Sequence, residues 1–411
     1  MRLHPRPVGA RFVALLRADP SGVRAGFVAL LISTATGLVA GLVLGSITGT
    51  LEKLPGLIIL VPAAVGMRGN VFGALGSRLG TAVHAGTYRL SARIDTLVGQ
   101  NLASAVVLSM SMAFLLAVVA KGFAIAFGVH SAISIADFVV VAVIGGLIPI
   151  AVIMGITVAV AALSVRYEWD LDNVGAPIVT AAADSVTLPS LVVATALVSV
   201  NGVTPVVAVA CTLASVACLV AGWRTRLTLL RRIVRESIPV LVLAGVISML
   251  AGLTIQGRLG SLLALPALLV VIPPLLSLSG SLAGILASRF ATKLHLGLVD
   301  ARRGVWRGLL DDVLLVYFFA AVIFLVLGVS TELLASWLSI EGPSSVELIG
   351  TVMLAGLLAT TLSNFVGYFG ALLTYRFGLD PDNFGIPLVS SASDLLGAAS
   401  LMLSLVVFGL T

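Results

Sequence analysis

The chain reads as an all-α polytopic membrane protein of about 11 transmembrane helices, built as two parallel five-helix repeats joined by an extra linking helix. Three observations predict this. Of 411 residues, 59% are hydrophobic and only 10% are charged, far below the roughly 25% charged residues of a soluble domain. The apolar runs are long and continuous, unlike the short alternating segments of a membrane β-barrel. The second half also repeats the first at a nearly fixed offset, the signature of a duplicated architecture.

Apolar stretches near the ~20-residue length of a bilayer span follow one another along the chain. Residues 1–24, "MRLHPRPVGARFVALLRADPSGVRAG" in their extended context, are basic and lack a signal-peptide core or cleavage site. They are expected to form a cytoplasmic tail. The first repeat, 25–200, holds spans near 25–50, 55–86, 97–128, 134–165 and 176–200. A linking helix near 203–223 and a basic loop fill 201–236. The second repeat, 237–411, holds spans near 237–256, 260–295, 307–337, 345–375 and 386–410. Several runs exceed a minimal span, so tilted or broken helices are expected. Pro62 and Pro273-Pro274 mark the expected breaks, where freed carbonyls line a cavity or kink a packed helix.

Charge fixes the expected orientation. With the N-terminus inside, 18 of the 24 Lys and Arg residues fall on inner segments, including Arg89, Arg93, Arg166, Arg224, Arg231 and Arg376. Lys53, Lys121 and Arg258 fall outside, and Arg68, Arg78 and Arg289 lie within spans. This split obeys the positive-inside rule and requires an odd number of spans, with the C-terminus outside. The expected location is the plasma membrane. The formal net charge of +6 does not point to nucleic acid, because the arginines occupy short loops between apolar runs.

The repeat is legible residue by residue. "PAAVGMRGNVFGALGSRLGTAVHAG" at 62–86 matches "PPLLSLSGSLAGILASRFATKLHLG" at 273–297, an offset of 211. Later, Asp172-Asn173 pairs with Asp382-Asn383, Pro177 with Pro387 and Asp184 with Asp394, at 210. Five spans joined directly would invert the second copy, so the linking span restores its orientation. A single chain thereby imitates a parallel dimer, with the natural path at its centre; a monomer or pseudo-dimer is sufficient for function.

Asp184, in "LDNVGAPIVTAAADS", and Asp394, in "PDNFGIPLVSSASDL", stand in runs apolar enough to cross a bilayer. A carboxylate is expensive there and marks a functional site by default. Two of them on a pseudo-twofold axis suit a divalent cation. Thr180 and Ser390 lie four residues earlier and share the helical face, forming an expected polar ring. Ala176 and Ile386 lie one turn further back, and Asn173 and Asn383 near the inner mouth. The competing reading is structural: each aspartate pairs with Arg78 or Arg289.

At these motifs the chain resembles the membrane domain of MgtE-type magnesium channels and, with two fused copies, the solute carrier 41 family of magnesium transporters. The resemblance covers roughly 25–200 and 237–411 and rests on "PAAVGMRGN…GSRLGTA", "PPLLSLSGS…ASRFATK", "DNVGAP…D" and "DNFGIP…D". It implies that Asp184 and Asp394 face a central pore and bind a largely hydrated Mg²⁺ as the transported ion, with Mn²⁺ or other divalents as further candidates. Two departures stand out. The acidic residue that follows "GN" in the family is Phe72 in one copy and Ala283 in the other, and Asn70 has Ser281 as its counterpart. The family's cytoplasmic regulatory domains have no room in a 24-residue tail, so gating through them is not expected.

Other features receive plainer readings. Asp137 and Glu347 match at the outer start of the fourth span and are candidates for an outer vestibule. Asp170, Asp172, Asp380 and Asp382 read as caps or a cation-concentrating mouth, and His84 and His295 as interfacial residues. Cys211 and Cys218 are seven apart and read as small packed side chains. No P-loop, HExxH or nucleophile motif is present, so an enzyme is not expected. Alongside a divalent-cation channel or transporter stand an Na⁺- or H⁺-coupled divalent-cation exchanger and a non-transporting structural membrane protein. The expected partners are the ion and the lipid bilayer.

Overall fold

A computed structural model describes residues 20–91, 93–129, 131–167, 171–297, 306–378 and 384–410. Among these residues the regular structure is helical, and 11 helices are long and apolar enough to cross a membrane. The first repeat comprises α1 (Pro20–Ser46), the short α2 (Thr48–Lys53), α3 (Leu57–His84), α4 (Leu97–Ala126), α5 (Ile135–Tyr167) and α6 (Leu171–Thr195). The linking helix is α7 (Val203–Arg224). The second repeat comprises α8 (Thr228–Gln256), the short α9 (Leu259–Ala264), α10 (Pro266–His295), α11 (Trp306–Leu338), α12 (Ser345–Phe377) and α13 (Ile386–Val407).

The helices start and stop for local reasons. Thr96 caps α4 by accepting from the Gly99 N–H. Ser344 and Glu347 form a reciprocal capping box at the start of α12. Gly56 (φ 86°) turns the chain into α3, and Gly378 (φ 63°) closes α12, both in the left-handed region that glycine enters without a Cβ penalty. Helix α3 runs through Pro62 and α10 through Pro273-Pro274 without interruption. The expected breaks are therefore absent. The prolines instead leave carbonyls without an intrahelical donor, Ile58 O below Pro62 and Val270 O below Pro274.

Those carbonyls are where the two repeats interlock. Helix α1 packs against α10 of the other repeat, and α8 packs against α3. The closest approach falls on a glycine in each case. A Cβ built on Gly41 would lie 2.0 Å from Val270 O. One built on Gly252 would lie 2.5 Å from Ile59 O and 2.9 Å from Ile58 O. Gly41 and Gly252, like Ile59 and Val270, are related by the 211-residue offset. Small residues let membrane helices approach this closely, and packing substitutes for the missing hydrophobic drive.

Within each repeat α6 packs on α1, α3 and α5, while α13 packs on α8, α10 and α12. Helix α7 lies against α4 and α5, with a lighter contact to α8. Its Cys211 is buried and Cys218 half-buried, and both are free thiols. The outward face of α7 carries Val206, Val209 and Leu213, all exposed, as expected for a surface facing lipid acyl chains.

The second and third spans of each repeat are tied together by duplicated polar pairs. Arg78 Nε donates to Asn101 Oδ1 at 2.9 Å, and Arg289 Nε donates to Asp312 Oδ1 at 2.9 Å. Lys293 is the second cation on Asp312, whose side chain is only 1% exposed. The amide of the first repeat thus becomes a carboxylate in the second, where Lys293 replaces Ala82. We expect D312A to destabilise the protein by about 3 kcal/mol, because it strands two partly buried cations. D312N should cost less, since it copies the pairing of Asn101; thermal unfolding of both variants in detergent checks the order.

Candidate cation site

Asp184 lies near the middle of α6 and Asp394 one-third of the way along α13. Asp184 is 6% exposed and Asp394 half-buried. Each helix packs on three others of its own repeat, the first, second and fourth spans. Helix α13 also touches α3 across the repeat boundary.

Each carboxylate accepts from one serine. Ser277 Oγ on α10 donates to Asp184 Oδ2 at 2.7 Å, and Ser248 Oγ on α8 donates to Asp394 Oδ2 at 2.8 Å. Behind Ser277, Ser33 Oγ of α1 lies 3.1 Å from the serine oxygen. Among the described residues neither aspartate makes an ion pair, and the Oδ1 of each has no protein donor. Each carboxylate lies against the second span of the opposite repeat, Asp184 on Ser277 of α10 and Asp394 beside Gly66 of α3, whose added Cβ would lie 3.3 Å from its Oδ2. Two like charges in an apolar interior repel at low screening, and a divalent cation between them relieves that repulsion.

The structural alternative for the aspartates, pairing with Arg78 or Arg289, does not match the geometry. Those arginines reach Asn101 and Asp312. The third arginine within a span, Arg68, is 1% exposed and donates to the carbonyls of Ala64 at 2.8 Å and Ala142 at 3.5 Å. Gly146 makes room for it; a Cβ there would lie 2.6 Å from the guanidinium.

The two residues expected to form a polar ring lie against the second spans of their own repeats. Thr180 packs over Gly69, whose added Cβ would meet the threonine methyl at 3.9 Å, and Ser390 packs over Gly280 in the same way at 3.7 Å. Ser390 Oγ also donates across the repeat boundary to Asn70 Oδ1 at 3.1 Å. Ser281, the counterpart of Asn70, donates instead to the Ser277 carbonyl of its own helix. Ile386 is exposed at the start of α13. The side chains of Asn173 and Ala176, and all of Asn383, lie outside the described residues, as do Asp170, Asp380 and Asp382. A small cavity lined by Asn70, Arg78, Ser237 and Pro387, about 10 Å³ for the centre of a water, has room for roughly one such molecule.

Asp137 and Glu347, expected at an outer vestibule, make hydrogen bonds at the starts of their helices. Asp137 is buried; it accepts from Ser134 N and Oγ and from Ser199 N, 62 residues away. Ser199 is one of two non-glycine residues with positive φ among the described residues, and Asp137 holds that turn. Glu347 completes the Ser344 capping box.

Sequence reasoning did not single out Ser248 and Ser277 as partners of the aspartates. Their signal was faint, because the two serines are not related by the repeat. Ser277 corresponds to Gly66, and Ser248 to Gly37.

The donors gathered here are carboxylate, hydroxyl and amide oxygens, and among the described residues no group of three or more His, Cys, Asp or Glu forms a cage. Oxygen donors in small number suit a hard cation that keeps much of its water, as Mg²⁺ does. Fold and site together define a polytopic helical membrane protein with a paired-carboxylate interior between two duplicated halves. The profile described as "MgtE: Divalent cation transporter" matches residues 61–194 and 272–404, well over half of the chain. The chain belongs to this family of divalent cation transporters. It is similar to solute carrier family 41 member 2 of Homo sapiens, 28% identical over 385 residues that cover 86% of this chain and 64% of that protein. Member 2 of Xenopus laevis is 27% identical over 385 residues, 86% of this chain and 65% of that protein. Member 3 of Rattus norvegicus is 28% identical over 138 residues, 33% of this chain and 30% of that protein. The chain thus spans less than two thirds of the length of these relatives. No solved structure gives a significant match.

Proposed function

We propose that this protein carries Mg²⁺ across the plasma membrane along a path on the pseudo-twofold axis, with the ion held largely hydrated between Asp184 and Asp394. The observation that carries this reading is the pair itself: two carboxylates within membrane spans, each bonded to one hydroxyl and neither to a guanidinium, each against the second span of the opposite repeat. Family membership supports a divalent cation as substrate. Keeping its water lowers the cost of entering the site and keeps binding weak enough for release.

The distribution of arginines supports a cytoplasmic N-terminus and an external C-terminus. The two repeats, 25–200 and 237–411, together build the walls of the path, with 201–236 as the tether, so a single chain supplies a complete site. The test is Mg²⁺ uptake into liposomes containing the purified protein, read by an entrapped indicator. Wild-type protein is expected to give uptake that D184A/D394A abolishes. Undiminished uptake by the double variant would refute the proposal. Imposed Na⁺ or H⁺ gradients that drive uptake uphill would show a coupled exchanger in place of a channel.

A further inference from the structure

The two aspartates are related by the repeat, but their hydroxyl partners are not. Around each aspartate the pseudo-symmetry defines two serine-sized positions. One is on the second span of the opposite repeat: Ser277 beside Asp184, and Gly66 beside Asp394. The equivalence is seen in space as well as in sequence, since a Cβ on Gly66 would lie 3.3 Å from Asp394 Oδ2. The other is on the first span of the same repeat: Gly37 on Asp184's side, and Ser248 beside Asp394. Each aspartate therefore has one serine and one glycine, in opposite places.

Packing explains the exchange. A Cβ on Gly37 would lie 2.7 Å from Pro274 Cα and 2.8 Å from Pro274 Cβ. Pro274 has Ala63 as its counterpart in the first repeat. The close approach of α1 to the backbone of α10 at Pro274 thus leaves room only for glycine at 37, and the hydroxyl for Asp184 comes from Ser277. On the other side a serine is seated at 248, and Gly66 stays bare, its would-be Cβ 3.7 Å from Ser248 Oγ.

We propose that Ser248 and Ser277 are positioning residues of the cation site, each tying down Oδ2 of one aspartate so that Oδ1 is presented to the hydrated ion, and that what matters is one hydroxyl per aspartate and not the position that supplies it. This inference rests on the reading of Asp184 and Asp394 as the cation site. A carboxylate held in one rotamer loses less freedom when the ion arrives, and an occupied Oδ2 favours contact through water over a bidentate grip that would slow release. Both effects act on a hydrated divalent cation more than on the stability of the fold.

Relocation of the hydroxyl tests this. In Mg²⁺ uptake by proteoliposomes, S248A and S277A are each expected to raise the half-saturating Mg²⁺ concentration by about three- to tenfold, the size of one hydrogen bond. S248T should behave as wild type. S248A/G66S should recover most of the loss, because serine at 66 donates from the mirror position. S277A/G37S should not recover, because Pro274 blocks it. Half-saturation unchanged in S248A and S277A would overturn the inference. So would a loss in S248A that neither S248T nor G66S relieves, which marks a packing defect. Should S248A/G66S not fold, as judged by size exclusion, the contrast between S248A and S248T decides alone. D184A/D394A in the same assay separates the two levels: uptake surviving there refutes the site itself. Uptake lost there but untouched in the serine variants refutes only the positioning role.

Discussion

Replacing both aspartates by their amides, D184N/D394N, is expected to reduce Mg²⁺ uptake at least about 100-fold while leaving the protein as stable as wild type, or more so. The amide keeps the volume of the carboxylate and still accepts from Ser277 and Ser248, so packing is undisturbed. What disappears is charge. Each charge-assisted contact is worth about 1.5–3 kcal/mol, and two of them set the affinity for a divalent ion. Removing two mutually repelling charges from an apolar interior also removes a desolvation cost, which favours the folded state. The combination of lost transport with unchanged or raised thermal stability is the discriminating signature. A structural role for the aspartates predicts the reverse: lower stability and uptake lost only in proportion to unfolded protein. Single variants should fall between, each with a weakened dependence on Mg²⁺ concentration.

G41A and G252A are expected to damage the interlock of the two repeats severely. A Cβ at either position falls 2.0 Å or 2.5 Å from a backbone oxygen of the facing helix, and backbone cannot rotate aside as a side chain can. The helices must separate, which forfeits the close contact along α1–α10 or α3–α8. Overpacking in a tight core costs about 1–3 kcal/mol and sometimes more; with backbone on the far side, the upper end is expected. G155A is the control, because nothing lies within 4 Å of its added Cβ. Thermal unfolding in detergent should place G41A and G252A well below wild type and G155A beside it. Equal stability of all three would show that the interlock of the repeats is not tight.

Much of this architecture is written in the order of residues, and the reason is the bilayer. A span must satisfy its backbone internally and present apolar side chains to lipid, so helix number and repeat boundaries follow from hydropathy and the 210–211 offset. Asp184 and Asp394 stood out because a charge in such a run is rare and was present twice. What could not be read was lateral: which helix faces which. The pairing of Arg78 with Asn101 and of Arg289 with Asp312 spans 23 residues in both copies, a duplicated spacing that was visible but had no meaning until the second and third spans were placed side by side. Ser248 and Ser277 were harder. They break the repeat, and a search for matched residues discards them. The capping roles of Asp137 and Glu347 were masked by their symmetry, which serves helix starts as readily as ion sites.

Because α1 is seated on α10 and α8 on α3, neither half of the polypeptide owns a finished wall. Severing the link between them would not yield two small working modules; it would yield two fragments, each missing a stave that its sibling carries. Changes near residue 41 and near residue 270 are therefore answerable to one another across more than two hundred positions, and the ancient copies are bound to drift as a couple.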